Sequence, residues 1–132
     1  MLCLHLKNAG GVRVERTEKD VERYLYKRVK ELGGKAYKFI SPGNAGVPDR
    51  LVVVPTGLDS LVTAIYMLVE VKKPGGCLRP QQRMKIKELC DMGADCRIVD
   101  CYESVDKVIM ELKTAVVAAS VSAGEVGNGL RV

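Results

Sequence analysis

Within Gly46–Lys73, GVPDRLVVVPTGLDSLVTAIYMLVEVKK, two apolar runs carry charges at their ends: Asp49 before the first, and Glu70 with Lys72 at the close of the second. Side chains alternate across a strand, so Glu70 and Lys72 emerge on one face and Val71 on the other. If the two runs pair as an antiparallel hairpin, the start of one lies beside the end of the other, and Asp49 and Glu70 become neighbours. Neighbouring carboxylates oppose each other's ionisation unless a cation separates them, and oxygen-only ligands suit Mg²⁺ or Mn²⁺. Lys72, about one strand repeat from Glu70, could orient or help deprotonate a water and offset charge on a phosphate. This combination suits phosphodiester hydrolysis.

Each residue also has a plainer reading. An isolated E-x-K is usually a pair of strand-end charges, an Asp after Pro48 is usually a turn residue, and Glu18 in a first helical turn suits the helix dipole. These readings leave the order unexplained. An inward helix acid, P-D before an apolar strand, E-x-K at the end of the next and a basic helix follow one another within one small domain.

The elements that must position these groups can be read from periodicity and punctuation. Thr17 with Asp20 forms a variant capping box for a helix that Gly33 and Gly34 end, with Val21, Leu25, Val29 and Leu32 on one face. At 100° per residue Glu18 falls within about 20° of Leu25 and Val29, which predicts an inward carboxylate. A strand over 35–40 leads to the breaker-rich loop SPGNAGVP, then strands over about 50–54 and 63–72. After KPGG, Pro80 opens a helix with an apolar side of Met84, Ile86, Leu89, Cys90 and Met92. DCRIVDC gives another strand, and Ser104 can cap a last helix with Val105, Val108, Ile109 and Leu112 inward. The predicted order is αβββαβα. Residues 1–14 read as a leader, 15–113 as the single domain, and 114–132 as a low-charge tail, either disordered or offered to a partner chain.

Composition narrows the chemistry. The chain has 132 residues, 47% of them hydrophobic and 28% charged, as in an ordinary globular domain. No apolar run reaches the roughly 18 residues that would cross a bilayer, so a cytoplasmic protein with no membrane partner is expected. Five cysteines without a C-x-x-C pair argue against a zinc site or a disulfide framework, and one histidine leaves little for a triad. The net charge is +5, and Lys72–Lys87 holds six basic residues and no acid, a patch suited to a polyanion or simply to solvent.

Taken together, Glu18, GVPD (46–49), EVK (70–72), LRPQQ (78–82) and a helix ending in MGAD (92–95) resemble the VRR-NUC (virus-type replication-repair nuclease) branch of the PD-(D/E)xK nucleases over about residues 15–113. The resemblance implies an α/β fold with a restriction-endonuclease-like core, a central mixed sheet flanked by helices. It also implies Asp49, Glu70 and Glu18 as ligands of Mg²⁺ or Mn²⁺, Lys72 serving the attacking water, and Gln82 as a fifth site residue. Lys73, Arg79, Arg83, Lys85 and Lys87 become candidate DNA contacts. Stand-alone relatives imply a homodimer acting on branched DNA such as four-way junctions, in a bacterial cytoplasm or phage-infected cell. A flap-type or sequence-specific nuclease with the same site, or a non-catalytic nucleic-acid-binding module, are the alternatives.

Overall fold

The first helix begins as its cap dictates. In the computed structural model, which describes residues 15–57 and 62–127 with side chains through Val121, helix α1 spans Glu18–Glu31. Thr17 Oγ1 accepts from the Asp20 amide at 3.3 Å, and Asp20 Oδ2 accepts from the Thr17 amide at 2.7 Å, a reciprocal capping box. At the other end the Gly34 amide reaches the Val29 carbonyl and the Gly33 amide that of Lys30. This Schellman closure needs Gly33 at φ 77°.

Strands β1 (Lys35–Lys38), β2 (Arg50–Pro55), β3 (Ala64–Val71) and β4 (Cys96–Val99) form one mixed sheet in the order β1-β2-β3-β4. The first three are antiparallel neighbours, and β4 runs parallel to β3. That parallel pair requires a crossover, which helix α2 (Pro80–Asp91) supplies. Helix α3 (Tyr102–Gly127) completes the predicted order.

The sheet's two faces are unlike. On one, Val52, Val54, Met67, Val69, Val71 and Val99 meet Val21, Leu25 and Val29 of α1 and Val105, Val108, Ile109 and Leu112 of α3 in a single core. Tyr24 stacks on Tyr102 with ring centroids 4.2 Å apart, and Arg28 pairs with Asp106 at 3.0 Å, tying the two helices together. The other face is covered thinly by α2, which buries no residue; Met84 is 73% and Met92 70% exposed. The apolar side predicted for α2 is corrected here. Met84, Ile86, Leu89, Cys90 and Met92 are spread around the helix, whereas the half-buried stripe is Gln82, Lys85, Ile86 and Leu89, confined to an arc of about 100°.

Two further expectations are revised. Ser104 lies inside α3 rather than before it, and its Oγ reaches back to accept from the amides of Asp100 and Cys101 at 3.0 and 3.1 Å. Helix α3 runs past Thr114 without a break, with Val116 packed on the core and Ala119 buried. Cys77, Cys90 and Cys96 are free, whereas Cys101 is disulfide-bonded, which the irregular spacing gave no reason to expect.

The loop before β2 is seated against α2 by one residue. Gly46 has φ 90°, and a Cβ there would lie 2.6 Å from the Gln81 carbonyl oxygen and 2.8 Å from its carbon. Gly43, at φ 77°, has nothing within 4 Å of its would-be Cβ. Gly43→Ala should therefore cost only the positive-φ strain of about 1–2 kcal/mol. Gly46→Ala should cost a further 1–3 kcal/mol or so, because the backbone of α2 must move. Urea unfolding of the two variants checks this, and equal losses would show that the loop and α2 are not in tight contact.

Candidate active site

The hairpin register makes Asp49 the neighbour of Glu70. Arg50 pairs with Val69, so the residue before one faces the residue after the other. The Asp49 amide donates to Glu70 Oε2 at 3.2 Å, and Asp49 Oδ1 lies 3.5 Å from the Val71 amide nitrogen. Pro48, fully buried, fixes the entry to this position.

Glu70 is only 5% exposed. Its second oxygen, Oε1, accepts from Gln82 Nε2 at 2.8 Å and faces Lys72 Nζ at 3.4 Å. Burial pushes the Glu70 carboxyl above its ordinary range and the charge of Asp49 pushes it further, while Lys72 opposes both. Negative charge is thus concentrated where the two carboxylates meet, and one lysine only partly offsets it. The amide of Gln82 is oriented by its own helix: its oxygen accepts from the Arg79 amide at 2.9 Å, which leaves the nitrogen to donate to Glu70. Lys72 is anchored through its amide, which donates to the Val99 carbonyl at 2.8 Å.

The structure therefore brings together Asp49, Glu70, Lys72 and Gln82, and it does not bring Glu18 to them. Glu18 is exposed, and no hydrogen bond or ion pair among the described residues joins it to this group. Angle gave its direction around α1 but not its reach. As the first helical residue it projects toward the N-terminus, past the packed turns. The acid tied to the site is Glu22, one turn later, whose Oε1 pairs with Arg50 Nη2 at 2.9 Å. Arg50 in turn holds Asp49, with Nη1 at 3.0 Å from Oδ2 and 2.8 Å from the main-chain oxygen. Neither Glu22 nor Arg50 was singled out from the sequence. The available signal was an arginine at a strand position whose alternation points it into the covered face, where a charge needs a partner.

Around this cluster Lys73, Arg79 and Arg83 are exposed. Lys85 and Lys87 are paired with Glu88 and Asp91, each at 2.6 Å, so the basic run is partly neutralised by the acids that follow it. No group of three or more His, Cys, Asp or Glu side chains among the described residues is arranged to hold a metal ion. The available set is the Asp49–Glu70 pair. No helix among them is long and apolar enough to cross a membrane.

Comparison with known proteins bears on the family and the fold. The model of the VRR-NUC domain family matches residues 5–102. A protein of Acyrthosiphon pisum secondary endosymbiont phage 1, named "Putative nuclease p44", is 39% identical over 86 residues, covering 65% of this chain and 85% of its own length. A solved structure of a VRR-NUC domain superposes with a TM-score of 0.61 at 29% identity, covering 72% of this chain and 97% of its own. The mixed sheet with flanking helices is the fold shared with that structure, and the chain belongs to the VRR-NUC family of nucleases.

Proposed function

We propose that this chain is a metal-dependent, structure-selective DNA endonuclease that hydrolyses phosphodiester bonds in branched DNA such as four-way junctions, acting as a homodimer. The observation that carries the hydrolytic part is the buried Glu70 carboxylate, contacted at once by the Asp49 amide, Gln82 and Lys72. The branched substrate, the paired chains and a bacterial or phage-infected cytoplasm rest on the family resemblance of the ordered motifs.

The donor set fits a hard divalent cation. Two carboxylates face one another, burial and mutual repulsion hold the Glu70 acid above its ordinary range, and Asp49 Oδ1 has only a long 3.5 Å contact. Mg²⁺ characteristically takes one or two carboxylates and completes its shell with water and phosphate oxygens, so a two-carboxylate site is sufficient. Asp49 and Glu70 would hold the ion. Glu18, exposed at the start of α1, enters only through the resemblance and would have to act through water. When bound, the ion would supply Lewis-acid charge for the phosphate and the attacking water.

The protein's own residues perform the remaining tasks. Lys72, its side chain 14% exposed, places an ammonium beside Glu70, where it can orient a water and offset charge on the phosphate. Gln82 prevents Glu70 from rotating by occupying Oε1. Lys73, Arg79 and Arg83, all exposed, would contact backbone phosphates, with Lys85 and Lys87 joining once released from Glu88 and Asp91.

Cleavage of a synthetic four-way junction should require Mg²⁺ or Mn²⁺ and stop on chelation. Asp49→Ala and Glu70→Ala should each lower kcat by about 10³-fold, equivalent to about 4 kcal/mol of lost transition-state stabilisation. Undiminished cleavage in either variant would remove that residue from the site. Lys72→Ala should lower kcat by about 10²–10⁴-fold while leaving KM nearly unchanged. A higher KM with wild-type kcat would instead make Lys72 a DNA-binding residue. Comparing junction, flap, nicked and linear duplexes tests the substrate: preference for flaps or a fixed linear sequence would overturn branched-junction selectivity while leaving the hydrolytic site intact.

A further inference from the structure

Arg50 is costly where it stands. It is 6% exposed, on the covered face of the sheet, paired in register with the fully buried Val69. Its Nε is buried without a hydrogen-bond partner. An apolar side chain of similar volume at such a position is often neutral or stabilising, so cementing α1 to β2 does not by itself account for a guanidinium. What an apolar residue could not do is grip the preceding residue twice. Nη1 lies 2.8 Å from the Asp49 carbonyl oxygen and 3.0 Å from its Oδ2, which fixes the Asp49 side chain relative to its own backbone. Oδ1 is left as the carboxylate oxygen without a charged partner, on the side of β3.

We infer that Arg50 and Glu22 form a positioning pair that aims Asp49 Oδ1 toward Glu70 for cation binding. The inference rests on reading Asp49 as a metal ligand. The pair divides the work. The planar guanidinium supplies the directional, two-point hold that a lysine's single ammonium cannot reproduce. By itself it would also place a positive charge against the carboxylate that must attract a cation. Glu22, 2.9 Å from Nη2, cancels that charge, so Asp49 is oriented without a net repulsion at the site.

Binding of Mn²⁺ alone, with no DNA and no turnover, tests this. Free Mn²⁺ is followed by electron paramagnetic resonance during titration of wild type, Arg50→Lys, Glu22→Gln and Arg28→Lys, each below its melting temperature. Arg50→Lys keeps the charge but loses the fork and should bind about tenfold more weakly, the lower end of what loss of a ligand's supporting hydrogen bonds costs. Glu22→Gln leaves Arg50 uncancelled and should also weaken binding several-fold. Arg28→Lys, which alters the ion pair between α1 and α3, should retain wild-type affinity. Wild-type affinity in folded Arg50→Lys and Glu22→Gln would overturn the inference and reduce Arg50 to a structural ion pair. If Arg50→Lys does not fold, Glu22→Gln decides alone. Absence of Mn²⁺ binding by the wild type would instead overturn the metal-ligand reading, and this inference with it.

Discussion

A buried carboxylate must be given partners, and the placement of Glu70 is the constraint on which the site depends. At 5% exposure it cannot rely on water, so its oxygens are met by the Asp49 amide, the Gln82 side chain and the Lys72 ammonium. These three come from the loop before β2, the first turn of α2 and the end of β3. The hairpin register, the crossover and the breaker-rich loop thus converge on one side chain. What remains unneutralised is the repulsion between Glu70 and Asp49, which protein contacts reduce without removing.

The division of the sheet into two faces follows from this. A face that must hold two carboxylates, an ammonium and an amide cannot also be a dense apolar core. The core lies on the opposite face, where β2 and β3 meet α1 and α3 through interlocked valines and leucines with essentially no exposure. Arg50 joins the two sides. Its side chain enters the apolar face with Glu22, yet its hydrogen bonds return to Asp49 on the other. An ion pair at that boundary couples the position of α1 to the orientation of a site residue.

Legibility in the sequence tracked how local the determining interaction is. The Thr17–Asp20 box, the Gly33–Gly34 stop and the antiparallel strands were readable because caps, glycines and alternation act within a few residues. Asp49 beside Glu70 was readable because a hairpin has little freedom of register once its ends are charged. Glu18 was misplaced because helical angle carries no information about where the packed partner ends. The extension of α3 is not legible in the sequence because a stretch of small residues with few charges reads equally as a tail or as a helix. In fact a helix already nucleated propagates cheaply through Ala-rich sequence, and Val116 and Ala119 still find the core. Arg50 was hidden because its partner Glu22 lies on another element, and pairing across elements leaves no period to read.

The thin packing of α2 has the same origin as the chemistry. Its inward stripe begins with an amide, Gln82, where a core helix would place an aliphatic residue, and Ile86 and Leu89 are only half-buried behind it. Little apolar area therefore holds the helix in place, and two specific contacts at its N-terminal end take over: the Gln82–Glu70 hydrogen bond and the backbone approach of Gly46 to Gln81. This gives a physical reason for G-x-P-D and L-x-P-x-Q to occur together in one chain. The glycine admits the helix to van der Waals distance, and the glutamine then reaches the glutamate. An element with few buried contacts sits at the low end of local stability. Helix α2, which buries no residue, is therefore the least firmly held of the elements that bring a side chain to Glu70, whereas Glu70 itself lies within β3.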